Sequence, residues 1–340
     1  MRMNGSQTTS TAGGGASATA IAHPNIALVK YWGKRDERLI LPVAGSMSMT
    51  LDSAATTTTV RLGGAADAFY LNGKRVDGKA AQRVSVFLEL IRERAGSCEC
   101  ATVVSNNRAP TGAGLASSAA GFAALAVAGA AAYGLQLSRE QLSALARRGS
   151  GSACRSVIDR FAVWHTGADD TSSYATQLSA PEMRMVVCQV NSAEKAVSSR
   201  EAMLLTRDTS PFWGAWAGHT ERVLSRMITA CEADDFTALG EIAEAHALQL
   251  HALIMSAEPA IRYLEPVSFA IFDVIKQLRE SGIECYATAD AGPNVVVITR
   301  PRDTVVVSAK LAEFGAVHTA APGRGAYLSD NHLTVPECHA

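Results

Sequence analysis

A glycine-rich segment between a predicted strand and a predicted helix has the composition of an anion-binding loop. Residues 110–121 read Pro-Thr-Gly-Ala-Gly-Leu-Ala-Ser-Ser-Ala-Ala-Gly. Glycine lets the backbone approach an anion closely, and the start of the next helix presents free N–H groups to it. No Lys-Ser/Thr follows the glycines, so this is not a P-loop, and Ser117 occupies the third glycine position of a dinucleotide fingerprint. Phosphate binding is the functional interpretation, and an ordinary helix-capping turn is the structural alternative.

A second candidate is an apolar row that ends in cations. Residues 25–36 read Asn-Ile-Ala-Leu-Val-Lys-Tyr-Trp-Gly-Lys-Arg-Asp, and strand alternation places Lys30 on the same face as Ile26 and Leu28. A buried, unpaired ammonium is costly, so Lys30 should meet an anion or a carboxylate. The alternative is a strand end whose charges are solvated. More polar and cationic side chains follow directly: Tyr31, Lys34 and Arg35.

Two short serine-rich segments could each hold a further anion. Residues 149–156 read Gly-Ser-Gly-Ser-Ala-Cys-Arg-Ser, and residues 197–200 read Val-Ser-Ser-Arg. Serine hydroxyls donate hydrogen bonds, and a guanidinium group presents a planar fork that suits phosphate or carboxylate. The alternative for the first segment is a flexible Gly/Ser linker. The candidate ligands in the two segments are Ser150, Ser152, Arg155, Ser199 and Arg200.

A carboxylate follows the apolar run 286–289, where Asp290 precedes Ala-Gly-Pro-Asn. An Asx turn that stabilises a hairpin is the structural interpretation, and a group that orients or accepts a hydroxyl proton is the functional one. His246 suggests a metal ligand but lacks the H-E-x-x-H pattern. It falls instead into a helical row with a 3–4 spacing, which predicts a histidine in the core.

These residues require a scaffold of strands and helices that alternate irregularly. Strands are predicted over 18–29, 46–51, 56–62, 69–71, 101–104, 185–190, 284–289, 295–299 and near 317. Helices are predicted over 80–94, 115–135, from Ser138 with Gln141 in a capping box, and over 211–232, 236–255, 267–281 and 304–314. This order favours an α+β fold rather than a Rossmann alternation.

Composition sets further limits on the class of protein. The chain has 340 residues, 48% of them hydrophobic, which is enough for two domains. A net charge of -1 gives no general attraction for nucleic acid or an anionic membrane, so a phosphorylated ligand needs a local cluster of cations. The seven cysteines are scattered without a C-x-x-C pair, which argues against zinc and favours reduced thiols in a cytoplasmic protein. The apolar segment 115–135 is rich in Ala and Gly, which favours a buried helix over a membrane span.

Five segments occur together in an order that resembles the diphosphomevalonate decarboxylase family. They are HPNIALVKYWGKRD (23–36), PTGAGLASSAAGFAAL (110–125), GSGSACRS (149–156), VSSR (197–200) and DAGPN (290–294). The resemblance implies the two-domain fold of the GHMP kinases. In that fold, an N-terminal domain like domain 2 of ribosomal protein S5 (residues 19–183) joins a ferredoxin-like C-terminal domain (184–330). Residues 1–18 are expected to form a disordered tail and residues 331–340 a second tail.

The resemblance also implies an activity. ATP phosphorylates the 3-hydroxyl of mevalonate 5-diphosphate, and loss of phosphate and CO₂ then gives isopentenyl diphosphate, with ATP and Mg²⁺ required. Asp290, Lys30 and Arg155 are implied as catalytic. The implied substrate ligands are Tyr31, Lys34, Ser150, Ser152, Ser199 and Arg200. The implied nucleotide site comprises Asn106, Gly112, Gly114, Ser117 and Ser118, with Ser117 near the magnesium ion.

The chain departs from the family's pattern in three places. Asp159-Arg160 stand where two glycines are usual, either near the carboxylate-binding loop or in an ion pair that points outward. Residues 166–177 are shorter than usual and lack an Asp-Ser pair, and residues 323–326, Gly-Arg-Gly-Ala, replace a Gly-Pro-rich turn. Three alternatives therefore stay open: a decarboxylase for another phosphorylated 3-hydroxy acid, a kinase that stops at phosphorylation, and a non-catalytic paralogue. A homodimer is compatible with the resemblance, but the sequence does not decide the oligomeric state.

Overall fold

The computed structural model describes residues 15–108, 117–191 and 196–335. The strands are β1 (Ser17–Ala22), β2 (Asn25–Val29), β3 (Lys34–Asp36), β4 (Leu41–Pro42), β5 (Ser46–Thr50), β6 (Thr56–Leu62), β7 (Ala68–Leu71), β8 (Lys74–Val76), β9 (Ala101–Asn107), β10 (Phe161–Trp164), β11 (Ala175–Gln177), β12 (Arg184–Gln189), β13 (Cys285–Ala289), β14 (Val295–Thr299), β15 (Ala316–Ala320) and β16 (Tyr327–Ser329). The helices are α1 (Gly78–Ala95), α2 (Ser117–Ala132), α3 (Arg139–Gly149), α4 (Ala153–Ser156), α5 (Ser199–Thr209), α6 (Trp213–Glu232), α7 (Phe236–Met255), α8 (Pro266–Glu280) and α9 (Thr304–Leu311).

Local sequence signals account for several element boundaries. The side chain of Ser138 accepts from the backbone N–H of Gln141, and the Gln141 side chain accepts from Ser138 N–H, so the predicted capping box of α3 is confirmed. Asn72 and Gly73 both have positive φ, 49° and 78°, which is the conformation of the tight turn that joins β7 to β8. These signals predict boundaries because they satisfy backbone groups that the helix or strand leaves open.

The N-terminal part of the chain forms two sheets around helix α2. One sheet has the strand order β16-β1-β6-β9-β7-β8, and the other has the order β11-β10-β5-β2. Helix α2 packs against β1 and β6, and most of its residues from Ala119 to Ala130 are buried. The Ala- and Gly-rich segment is therefore a buried helix, as its composition predicts. Among the described residues, no helix is both long and apolar enough to cross a membrane.

The C-terminal part of the chain is an antiparallel sheet covered by helices. Its strand order is β13-β14-β12-β15, and helices α7, α8 and α9 contact this sheet. One hydrophobic cluster crosses between the two parts. It joins Leu28 and Met49 of the first to Met185, Leu239 and Ile298 of the second. Because burying a side chain of this size stabilises a fold by about 1.5–3 kcal/mol, this shared core fixes the two parts relative to each other.

The predicted strand over residues 18–29 is wrong as a single element. The chain forms β1, leaves the sheet at His23-Pro24 and then forms β2 in a different sheet. Proline has no N–H to donate to a strand partner, which favours a break at this position. The break moves β2 into the sheet next to the second part of the chain, and Lys30 follows directly after it.

The structure differs from the prediction of a tail at each end of the chain. Ser17 and Ala18 belong to β1, so the predicted disordered tail is wrong for these two residues, and its residues 1–14 lie outside the described chain. Strand β16 pairs with β1, which returns the chain to the first sheet, and Leu333 N–H donates to Thr59 Oγ1 at 2.8 Å. Residues 336–340 lie outside the described part. We propose the domain division near residue 183, with residues 327–329 completing the first domain.

Several short elements escaped prediction from the sequence. Strands β3, β4, β10, β11 and β16 have two to four residues each, which is too short for a pattern of alternation to show. Helix α5 escaped because its start lies in the serine-rich segment that suggests an anion-binding loop. In the structure the Ser198 side chain accepts from Glu201 N–H in a capping box, so residues 199–200 form the first turn of a helix.

Candidate active site

A cleft of about 700 Å³ lies between the two parts of the chain, and it collects most of the predicted site residues. Among the described residues, five cations and one carboxylate line it, in a chain whose net charge is -1. A concave site with this local charge suits a small anion with several phosphate or carboxylate groups. The charged lining residues are Lys30, Lys34, Arg83, Arg155, Arg200 and Asp290.

Lys30 stands at the end of the apolar row, as alternation predicts. The pairing of β2 with β5 shifts its register between Ala27 and Val29, and Lys30 follows as a side chain that is 1% exposed. Its Nζ donates to the Ala27 carbonyl at 2.7 Å and to Asp290 Oδ1 at 2.8 Å. Burial lowers the pKa of Lys30, the facing carboxylate of Asp290 opposes this shift, and the charge of Arg155 adds to it. The expectation that this ammonium meets a carboxylate is confirmed.

Asp290 comes from the other side of the cleft, directly after β13. The Gly292 N–H donates to its carbonyl at 2.7 Å and tightens the turn toward β14. The side chain is 35% exposed and points to Lys30. Among the residues that the structure describes, its hydrogen-bond partner is that ammonium rather than a turn amide, so the Asx-turn interpretation is wrong. A carboxylate held next to a cation and open to the cleft can accept or orient a hydroxyl proton.

Arg155 is held by neutral hydrogen-bond partners and has no direct ion pair among the described residues. It lies in α4, is 3% exposed, and donates from Nε to Ser48 Oγ at 2.9 Å and to Asn25 Oδ1 at 3.2 Å. Its Nη1 donates to Ser46 Oγ at 2.6 Å. Within the described chain, Nη2 has no acceptor, and Arg155 lines the cleft. The guanidinium is therefore fixed in orientation and able to bind an anion there.

The segment around Ser150 and Ser152 is an ordered connection between two helices, and the flexible-linker interpretation is wrong. A Cβ added at Gly149 would lie 2.0 Å from the Phe122 ring, and one at Gly151 would lie 2.8 Å from Tyr31 Oη. The glycines therefore permit close packing rather than flexibility. Both serines line the cleft, so their hydroxyls can donate to an anion bound beside Arg155.

Four more predicted residues line the same cleft: Tyr31, Lys34, Ser199 and Arg200. Burial raises the pKa of Tyr31, so its hydroxyl keeps its proton as a donor. Lys34 Nζ contacts Glu37 Oε2 at 2.5 Å, and Arg200 is exposed in the first turn of α5. The start of a helix favours bound negative charge, which adds to these cations.

Arg83 is a lining cation that sequence reasoning missed. It projects from α1, donates from Nη2 to the Gly149 carbonyl at 3.1 Å and lies 5.1 Å from the centre of the Phe122 ring. No local motif marks it, because it is one polar residue of an amphipathic helix. The only available signal is its place one residue before Val84, the first buried residue of α1, at the edge of the packed face.

The predicted nucleotide end of the cleft is described only in part. Gly112 and Gly114 lie outside the described residues, as does the side chain of Ser117. Ser118 lines the cleft, and its Oγ lies 3.4 Å from Ser150 Oγ. The start of α2 thus reaches the cleft, and its open N–H groups suit the phosphates of ATP. Asn106 is exposed in β9 and is not among the described residues that line the cleft.

Two buried histidines of α7 lie close to Lys30. His246 is 0% exposed, which confirms the predicted core position. Burial lowers its pKa to about 3, and the charge of Lys30 adds to that shift. His251 is 2% exposed, and its Nε2 has no hydrogen-bond partner among the described residues. Its pKa is lowered to about 4, first by burial and then by Lys30. Both rings are therefore neutral at physiological pH.

The first departure from the family's pattern lies away from the cleft lining. Asp159 accepts from Gly325 N–H at 2.7 Å and pairs with Arg139 at 3.7 Å. Arg160 pairs with Glu182 at 3.0 Å and has a φ of +56°, a conformation that favours glycine. Neither predicted alternative holds as stated, because the two residues lie outside the described cleft lining and each pairs with another partner instead of with its neighbour.

The second departure, over residues 166–177, is a loop anchored to α3. Asp170 Oδ1 accepts from Arg147 Nη2 at 2.6 Å, and its Oδ2 accepts from Arg148 Nη1 at 2.8 Å. Arg147 is 0% exposed and donates from Nε to the Ser173 carbonyl at 2.9 Å. The short loop is thus fixed by a buried ion pair. Its last residues form β11 against β10.

The protein has two α+β domains with a cationic cleft between them. A helix N-terminus lies at one end of the cleft, and a carboxylate-lysine pair lies inside it. This is the organisation of the GHMP kinases. Comparison with known proteins narrows this class. A family model of the diphosphomevalonate decarboxylase-like N-terminal domain matches residues 22–175. A model of the mevalonate 5-diphosphate decarboxylase C-terminal domain matches residues 185–330. The chain belongs to the diphosphomevalonate decarboxylase family.

Individual relatives agree with this assignment over nearly the whole chain. The human diphosphomevalonate decarboxylase is 35% identical over 336 residues, covering 91% of this chain and 82% of the human protein. The crystal structure of mevalonate diphosphate decarboxylase from Staphylococcus aureus is 38% identical with a TM-score of 0.89, covering 93% of this chain and 98% of that one. The structure of MDDEF in complex with MVAPP, AMPPCP and magnesium is 42% identical with a TM-score of 0.88, covering 93% and 99%.

Proposed function

We propose that this protein catalyses the ATP-dependent decarboxylation of mevalonate 5-diphosphate to isopentenyl diphosphate, with release of ADP, phosphate and CO₂. The observation that carries the proposal is the pair formed by Lys30 and Asp290 at 2.8 Å inside a cleft lined by four further cations. This site can hold a substrate with a diphosphate at one end and a carboxylate at the other. The family membership and the solved relative with MVAPP and an ATP analogue support it.

The first chemical step is phosphoryl transfer to the 3-hydroxyl. The hydroxyl oxygen attacks the γ-phosphorus of ATP, the bond to the β-phosphate oxygen breaks, and the hydroxyl proton passes to the Asp290 carboxylate. Lys30 lies within hydrogen-bond distance of that carboxylate and stabilises negative charge on the oxygens around it. Phosphoryl transfer depends chiefly on positioning and on cations, which are what this cleft supplies.

The second step needs no organic cofactor. The bond between the substrate carboxylate and its neighbouring carbon breaks, and CO₂ leaves. The electron pair forms the new double bond, and the carbon–oxygen bond to the 3-phosphate breaks as phosphate departs. Arg155 and the hydroxyls of Ser150 and Ser152 would hold the carboxylate. Arg155 is pre-oriented by three neutral side chains, so binding costs it little conformational freedom.

The remaining residues would hold the phosphates of the two substrates. Tyr31, Lys34, Arg83 and Arg200 would bind the diphosphate, since all four line one cleft with Ser199. The residues before α2, together with Ser118, would bind the ATP phosphates. Mg²⁺ is typically coordinated by phosphate oxygens and few protein groups, so the hydroxyl-rich start of α2 fits the ATP-bound ion, with Ser117 as the proposed protein ligand.

The decisive experiment is one incubation with ATP, Mg²⁺ and mevalonate 5-diphosphate in which ADP and CO₂ are measured together. Equal release of both is the expected result. ADP without CO₂ would identify a kinase that stops at phosphorylation. Neither product, with ATP still bound, would identify a different phosphorylated 3-hydroxy acid as the substrate.

Two further properties are proposed with this function. A cytoplasmic location agrees with the free thiols of Cys154, Cys188, Cys231 and Cys285, which are buried and act as small apolar side chains. A homodimer, which the family resemblance suggests, can be checked by light scattering of the purified protein.

A further inference from the structure

The backbone of Lys30 is held by a buried histidine ring from the other part of the chain. Strand β2 ends at Val29, so the next N–H lies beyond the ladder of hydrogen bonds with β5. That N–H of Lys30 donates to His246 Nδ1 at 3.0 Å. Both residues are buried, at 1% and 0% exposure, where a backbone N–H needs a partner. Helix α7 of the C-terminal part therefore supplies the acceptor for a backbone N–H of the N-terminal part.

The histidine ring is itself fixed by helix α6. It stacks on Trp216 with a centroid distance of 5.1 Å and an interplanar angle of 3°. Its Nε2 lies 3.4 Å from Thr220 Oγ1. Because Nδ1 accepts from Lys30, the proton belongs on Nε2, which can donate to that hydroxyl. The ring therefore has one orientation and one tautomer that satisfy both of its neighbours.

Trp216 makes a second connection of the same kind. Its Nε1 donates to the Trp32 carbonyl at 3.0 Å, two residues after Lys30. The two stacked rings thus hold the backbone on either side of Tyr31. The Lys30 ammonium is held by Asp290 of the same C-terminal part at 2.8 Å. Three hydrogen bonds to groups of one domain consequently fix the segment of the other domain that carries Lys30 and Tyr31.

We propose that His246 is a positioning residue for the reaction, acting as a neutral acceptor that fixes the backbone of Lys30 and so places its ammonium against Asp290. Trp216 supports it by stacking and by binding the carbonyl of Trp32. The inference rests on the proposed function for the identity of the reaction. The low pKa of His246, about 3, keeps the acceptor unprotonated over the working range of the enzyme. A misplacement of about 1 Å in a catalytic group can lower a rate by about 100-fold, so this hydrogen bond bears on turnover.

The test compares two substitutions that lose the same stacking contact. In His246→Asn the Oδ1 atom can take the place of Nδ1 and still accept from Lys30, whereas His246→Leu offers no acceptor. Turnover is normalised to the active sites counted by titration with a non-hydrolysable ATP analogue, so that loss of folded protein does not count. We expect His246→Leu to lose about 10- to 100-fold in kcat with KM for both substrates within about twofold, and His246→Asn to recover most of that loss.

Controls separate this inference from the proposed function. His219→Asn alters a half-buried histidine of the same aromatic cluster that contacts Gln249 and not Lys30, and it should leave kcat unchanged. Amide hydrogen exchange of the peptide over residues 26–33 should be faster in His246→Leu than in His246→Asn. If the wild type releases CO₂ but His246→Leu and His246→Asn have equal kcat, the inference is overturned. Unchanged amide exchange in both variants would overturn it as well. A wild type without turnover would overturn the proposed function and this inference with it.

Discussion

Substitution of Asp290 by Asn removes one charge from the centre of the cleft with almost no change of shape. The carboxylate lies 2.8 Å from Lys30 Nζ, and it is the main influence that opposes the loss of the proton from this buried ammonium. Removing one partner of a buried ion pair costs about 3–5 kcal/mol. Because the Asp290 side chain is 35% exposed, solvent screens part of that interaction. We therefore expect Asp290→Asn to lower the free energy of unfolding by about 2 kcal/mol.

The effect of Asp290→Asn on turnover should be larger than its effect on stability. Loss of a positioned acid–base group lowers a rate by about 10²–10⁴-fold. Lys30 also loses the carboxylate that favours its charged form, so the cation beside the reacting oxygen is weakened at the same time. We therefore expect kcat to fall by at least about 10³-fold, or about 4 kcal/mol in the activation free energy. Affinity for an ATP analogue should change by less than about twofold, because the proposed nucleotide site lies at the start of α2.

The assay measures ADP and CO₂ release by the same sample, with ATP-analogue affinity determined by calorimetry. Asp273→Asn is a matched control, since it neutralises an exposed carboxylate on α8 and should leave both quantities unchanged. A kcat within tenfold of the wild type would refute the role of Asp290 as the proton acceptor. Loss of nucleotide affinity would show that the ion pair supports the architecture of the cleft instead of the chemistry.

Three more perturbations test other parts of the molecule. Arg200→Ala should raise KM for the diphosphate substrate about tenfold in steady-state kinetics and change kcat by less than about threefold, because its contact is remote from the chemistry. Asp170→Asn should lower the free energy of unfolding in urea by about 3 kcal/mol, because it leaves Arg147 buried without its carboxylate. Acid should destabilise the fold. His246 and His251 have native pKa values of about 3 and about 4, so below their unfolded value of 6.5 the unfolded state binds protons first. Their contribution to the free energy of unfolding is complete above pH 6.5 and is lost as the pH falls toward 4. Urea titrations should show a loss of about 2 kcal/mol for each histidine between pH 7 and pH 5.

Each of these predictions has a control and a contrary outcome. Arg207→Ala removes an exposed cation from the same helix as Arg200, and a fall in kcat at constant KM for Arg200→Ala would contradict diphosphate binding. Asp208→Asn removes an exposed carboxylate and should be far milder than Asp170→Asn, so equal losses would contradict the buried pair. A His251→Gln variant should lose about half of the acid sensitivity, and an unchanged slope would mean that carboxylates control it.

Local signals in the sequence predicted what depends on neighbouring residues. Helix α7 was predicted with its observed bounds, 236–255, because six apolar or buried positions repeat with helical spacing. The capping box of α3 and the Asn-Gly turn were also predicted, because each depends on residues that are close together in the sequence. That Lys30 requires a carboxylate or an anion also followed from the strand pattern. Its partner, 260 residues away, did not, because contacts between domains leave no mark in local periodicity.

The same distinction explains which site residues the sequence could not reveal. Periodicity predicted that His246 is buried, but not that it accepts from the backbone of Lys30. Arg83 carries no motif at all and reaches the cleft because α1 packs against α2 and α3. Asn106 is implied as a nucleotide ligand by the family resemblance and stays a prediction, since it lies in β9 outside the described part of the cleft lining. Tertiary packing decides the roles of His246 and Arg83, and local sequence does not record it.

Two of the three departures from the family's pattern, residues 159–160 and 323–326, contact each other and lie outside the described cleft lining. Asp159 accepts from Gly325 N–H, and Arg160 N–H donates to the Gly323 carbonyl at 2.8 Å. A Cβ at Gly325 would lie 2.3 Å from the Val157 carbonyl, so these two segments are in close backbone contact and a change in one favours a change in the other. Arg155, only four residues before Asp159, is meanwhile fixed by neutral side chains of the first domain. The substitutions are therefore accommodated outside the described cleft lining, and they should alter stability more than the choice of substrate.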